Sequence, residues 1–104
     1  MTDLPIACTL NPDERQTRGD ELLTGRAQAA LERQPIENGL RLVFSGEAAL
    51  IPRITDTIVA ERHCCRFLRF DASFEPDNGP ITLTVTGPAG TRDFLETLVN
   101  PYKA

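Results

Sequence analysis

The chain has no tryptophan, one tyrosine, one histidine and three cysteines in 104 residues. The lone His63 leaves no second imidazole to share a metal, and a carboxylate beside cysteine without a well-placed histidine makes a poor hydrolase. Three cysteines, two of them adjacent, do not make a disulfide framework. Basic residues are outnumbered 11 to 15, for a net charge of −4. That balance removes nonspecific attraction to nucleic acid or anionic lipid, and neither a basic run nor zinc-finger ligand spacing offsets it. No apolar run reaches the length of a membrane-spanning helix. Met1-Thr2-Asp3-Leu4-Pro5 lacks the basic and apolar regions of a secretion signal, so a cytoplasmic location with reduced thiols is expected. Thr86-Gly87-Pro88-Ala89-Gly90-Thr91 precedes a helix, yet it lacks the Lys-Ser/Thr pair and glycine spacing of a phosphate loop and reads as a turn with a cap.

What is present is one domain over residues 1–104, with 40% hydrophobic residues and no repeat, low-complexity tract or interdomain linker. Leu4–Leu10 reads as a short strand or an extended arm. Asn11-Pro12-Asp13-Glu14 carries a helix-start signature. Leu22, Leu23, Arg26/Ala27, Ala30 and Leu31 then form a stripe at helical spacing, ending near Gln34-Pro35. Leu40–Phe44 alternates as a strand with Leu40, Leu42 and Phe44 on its buried face. Ser45-Gly46-Glu47 opens a second helix that runs to Cys64 or Cys65. Phe67–Phe74 alternates again, Pro76–Pro80 is a turn, and Ile81–Thr86 alternates apolar residues with threonine, which predicts a hairpin. A last helix carries Phe94, Leu95, Leu98 and Val99 and stops at Asn100-Pro101. The order (β)αβαββα predicts a two-layer α+β sandwich, an antiparallel-rich sheet with helices on one face.

The second helix carries the chemistry. Advancing about 100° per residue from Leu50 puts Ile54 at about 40°, Ile58 at about 80° and Ile51 at about 100°. On the same wheel Glu61 falls at about 20°, Cys65 at about 60° and Cys64 at about −40°, whereas His63 falls at about 220°. A carboxylate and two thiols therefore share the core-facing side, and His63 points away. Thiolates favour Zn, Cu(I) and comparable soft ions. Three cysteines supply a trigonal site, or Glu61 completes a mixed one. Adjacent residues on a regular helix diverge, so one ion takes both sulfurs only where the helix unwinds. The helix C-terminus disfavours a thiolate, while Arg62, His63, Arg66 and Arg69 favour one.

Each residue also has a plainer account. Cys64 and Cys65 are small apolar core residues, and Cys8 anchors a buried arm. Glu61 lies at a rim or pairs with Arg15, Arg18 or Arg66. Its alternative role is a general base or a metal ligand. Arg15, Arg18 and Arg26 look like a solvated helix face. Thr82, Thr84 and Thr86 form the outer face of a strand.

Ala7-Cys8-Thr9-Leu10, Glu61-Arg62-His63-Cys64-Cys65-Arg66-Phe67-Leu68-Arg69-Phe70 and Thr86-Gly87-Pro88-Ala89-Gly90 resemble the shared motifs of a group of small bacterial α+β proteins. That group has a Cys-x-Leu start, a Glu-x-x-Cys-Cys-x-Phe-x-x-Phe centre and a Thr-Gly-Pro turn, matched here from about Ala7 to Leu98. Many members carry Pro where this chain has Arg66, so a helix stop is missing. The resemblance brings no activity with it. It implies that Cys8, Glu61, Cys64 and Cys65 belong to one pattern.

Three functions follow as expectations. The first is a binding protein whose Cys8, Cys64 and Cys65, with Glu61, hold a soft metal or metalloid ion such as Zn, Cu(I) or As(III). The second is a thiol redox enzyme or sensor in which Cys8 resolves a bond formed at Cys64 or Cys65, because neighbours on a regular helix do not bridge readily. The third is an interaction module, a homodimer paired through a sheet edge, with cysteines that only pack.

Overall fold

A computed structural model describes residues 22–99. Helix α1 (Leu23–Ala29) leads into a hairpin of β1 (Glu32–Ile36) and β2 (Gly39–Phe44). Helix α2 (Leu50–Cys64), a second hairpin of β3 (Arg69–Phe74) and β4 (Ile81–Thr86), and helix α3 (Thr91–Val99) follow. The four strands form one antiparallel sheet in the order β1-β2-β4-β3. This is the expected α+β arrangement.

Register explains which face is covered. Leu40, Leu42 and Phe44 of β2 lie opposite Val85, Leu83 and Ile81 of β4, and all six are buried. Directly opposed residues share a face, so these pairs form the floor on which the helices sit. Leu22, Leu23, Ala27, Ile54 and Leu95 cover it from the helical layer. The other face carries Arg41, Thr82, Thr84, Asp71 and Ser73, which are exposed or half-buried. Phe70, Ala72 and Phe74 share the apolar side but lie on the edge strand β3, where Phe74 remains 49% exposed.

The first helix differs from its expected extent. It ends at Ala29 rather than near Gln34-Pro35, and residues 32–36 are the edge strand β1. Ala30 leaves the helical region (φ −72°, ψ 143°) while its N–H still bonds to the Ala27 carbonyl. Leu31 then donates to the Val43 carbonyl at 2.7 Å and starts the ladder, with its side chain exposed rather than on the apolar stripe. Pro35, which has no N–H for a ladder, is tolerated on an edge strand. Arg26 is a further correction: it is 7% exposed, a buried residue and not part of a solvated face.

The second hairpin forms as its sequence predicts. Asp77 and Asn78 both adopt positive φ, 59° and 55°, and the Gly79 N–H closes the turn on the Pro76 carbonyl. Positive φ at both central positions matches the right-handed twist of the flanking strands. The Leu4–Leu10 arm and the helix start at Asn11 lie outside the described residues. Among those residues no helix is long and apolar enough to cross a membrane.

Candidate metal centre

Helix α2 buries Ile54, Thr57, Glu61 and Cys64, a spacing of three, four and three that places them along one line of a helix. Ile51, expected on the apolar side, is 39% exposed, so the buried face centres closer to Glu61 than the isoleucine pattern alone indicates. Thr57 is the buried member that the hydrophobic pattern misses. Its Oγ1 has no hydrogen-bond partner among the described residues and sits one turn before Glu61. The i, i+4 relation to Glu61 was the signal available for finding it.

Glu61 is fully buried, yet its carboxylate is supplied with donors. Oε2 accepts from the Leu23 backbone N–H at 2.8 Å, and Oε1 accepts from the Cys64 thiol at 3.3 Å. Leu23 opens α1, and no side chain at the N-cap position Leu22 caps that helix. The first N–H groups of a helix have no partner within it. Glu61 fills that role from another helix; of the arginines expected to pair with it, Arg15 and Arg18 lie outside the described residues and Arg66 is exposed.

The two thiols meet because α2 ends between them. Cys64 is the last helical residue; Cys65 has φ −119° and ψ 76°, outside the helical region. The Cys65 N–H still bonds the Glu61 carbonyl at 2.6 Å. This break brings the two Sγ atoms to 3.6 Å, within hydrogen-bonding reach and too far apart for a disulfide. No proline or glycine follows to stop the helix. The next residues, Phe67 and Leu68, are themselves buried, and the Phe67 ring meets Phe94 edge-on at 5.2 Å. Drawing that pair into the core turns the chain away from the helix axis.

Glu61, Cys64 and Cys65 thus present one carboxylate oxygen and two sulfurs within 4.8 Å of one another, all buried. A carboxylate and two thiols at that separation are a mixed donor set for a borderline or soft ion. His63 is exposed and takes no part, as the helical wheel predicts. Cys8 lies outside the described residues. Comparison with known protein families, curated proteins and solved structures finds no match.

Proposed function

We propose that this protein binds a soft metal or metalloid ion through the thiols of Cys64 and Cys65, with Glu61 completing a mixed site and Cys8 as a further thiol in its pattern. The observation that carries this reading is the convergence of three buried donor atoms within 4.8 Å. A buried carboxylate requires compensation, and a bound cation is one source of it beside the Leu23 amide. The hydrogen bonds that now join Cys64 to Glu61 and to Cys65 lie along the edges of the volume an ion would fill. The thiol protons leave when the ion enters, so binding is linked to proton release.

Titration of the reduced, metal-free protein with Zn(II), Cu(I) and As(III) tests the reading. One ion binds per chain, and about two protons are released per zinc, one from each thiol. The double variant Cys64→Ser, Cys65→Ser abolishes binding. Unchanged stoichiometric binding in that variant refutes the proposal. Cys8→Ser, measured in the same way, reports whether the third thiol contributes. Mercury is a poor probe, since it takes almost any thiol.

A further inference from the structure

We propose that two copies of this chain pair through the outer edge of β3, antiparallel about a two-fold axis at Ala72, so that two four-stranded sheets join into one. This pairing is independent of any ion at the cysteines. It gives the homodimer expected from the sequence one edge and one register.

Among the described residues β1 and β3 are the two edges of the sheet. β1 carries Pro35, which has no N–H to offer a neighbour, a common guard on an edge strand. β3 contains neither proline nor glycine over Arg69–Phe74. Two hydrogen bonds at the strand ends fix which of its backbone groups face outward. The Glu75 N–H donates to the Pro80 carbonyl, and the Gly87 N–H donates to the Asn38 carbonyl. In an antiparallel ladder, opposed residues that exchange bonds alternate with opposed residues that do not. Glu75 therefore belongs with Ser73, Asp71 and Arg69, which bond inward to β4, while Phe70, Ala72 and Phe74 turn their N–H and C=O groups outward. The Gly87–Asn38 bond gives the same phase from the other side of β4.

With the axis at Ala72, all of these outward groups find partners. Ala72 meets the partner's Ala72, and Phe70 meets the partner's Phe74 on either side of it. Each such pair exchanges two bonds, about six in all. A small side chain sits on the axis, and an aromatic pair flanks it at each end, which covers a Phe74 that is 49% exposed in the single chain. On the polar face Arg69 falls opposite the partner's Glu75, and Asp71 opposite the partner's Ser73. Arg69 Nε already donates to Asp71 Oδ2 of its own strand at 3.1 Å, and the partner's Glu75 supplies a second carboxylate. Neighbouring registers fail. An axis at Asp71 sets two aspartates against each other, and one at Ser73 sets Asp71 against the partner's Glu75. An axis at Phe74 places Ala72 opposite Pro76, which has no N–H. An axis at Phe70 leaves Phe74 opposite Arg66, outside the strand.

Analytical ultracentrifugation of the full chain is the test, with reductant and chelator present so that neither a disulfide nor an ion joins the copies. A dimer is expected. Arg69→Glu and Glu75→Arg, each alone, set like charges across both ends of the pairing and weaken the dimer at least about tenfold; the double variant restores it. Ala72→Pro removes the outward N–H at the axis, keeps the bonds to β4 and yields a monomer. In the dimer the amides of Phe70, Ala72 and Phe74 exchange slowly with solvent, and in Glu75→Arg they exchange quickly, whereas Asp71 and Ser73 stay protected in both. A monomer at high protein concentration overturns the proposal. If those three amides are nevertheless slow in the monomer, another part of the same chain covers the edge, and the proposal fails equally. A dimer that the single reversals leave intact, or that the double variant does not restore, overturns this edge and register.

Discussion

The carboxylate of Glu61 accepts the backbone N–H of Leu23 at 2.8 Å, across 38 positions of sequence. The start of α1 is therefore closed by a side chain from the last turn of α2. The same carboxylate receives the Cys64 thiol on its other oxygen. Helix docking and thiol chemistry share one residue.

Removing that residue should cost more than an ordinary polar substitution. Glu61→Ala removes the acceptor of both the Leu23 N–H and the Cys64 thiol, at a cost of about 2–3 kcal/mol. Glu61→Gln keeps one acceptor and costs about half as much. Urea unfolding gives both values. Amide exchange at Leu23 should quicken in Glu61→Ala and change little in Glu61→Gln; equal exchange in the two variants would contradict the capping role.

Replacement of Cys64 separates packing from bonding. Serine retains a donor for Glu61 Oε1 and fits the same space, whereas alanine removes that donor. Cys64→Ser should unfold within about 1 kcal/mol of the parent, and Cys64→Ala should be the less stable of the two. Thermal unfolding of both variants, in the absence of any metal, gives the comparison.

Burial of the thiols predicts slow modification. Cys64 and Cys65 are 1% and 0% exposed, so a bulky disulfide reagent reaches them only when α1 and α2 part. Their reaction in the native, reduced protein should be slow and should accelerate on unfolding. Peptide mapping after timed quenching distinguishes the two from Cys8. Rapid native labelling of both would show that the core opens freely at this end.

Thr57 supplies a test with the opposite sign. Its hydroxyl is buried with no hydrogen-bond partner among the described residues. Thr57→Val removes that group at nearly constant volume and should leave stability unchanged or raise it by about 1 kcal/mol. A clear loss of stability would mean that the hydroxyl is engaged by a group that the static structure does not pair with it.

Much of this architecture was legible in the sequence where one period dominated. Leu40, Leu42 and Phe44, and the alternation from Ile81 to Thr86, fix the central strands because both are buried on one face. The turn at Pro76–Pro80 announced its hairpin through residues that tolerate positive φ. Strand β1 did not announce itself. Glu32–Ile36 is exposed along most of its length, so no hydrophobic alternation marks it, and the helical stripe before it runs on through Leu31. The site was half legible. Helical geometry put Glu61 and Cys64 on one face, but the turn that delivers Cys65 depends on the distant burial of Phe67 against Phe94. The Leu23 amide carries no side-chain signature at all.

The break of α2 between two adjacent cysteines has a practical consequence for protein engineering. The carboxylate lies one turn before the first sulfur, and the second sulfur is delivered by the first residue beyond the helix. Positions 61–65 thus contain the three donor atoms that converge among the described residues. Inserting one residue between Glu61 and Cys64 would rotate the carboxylate by about 100° and dismantle that convergence. Register at a helix terminus, rather than cysteine content, is what a designer would need to copy.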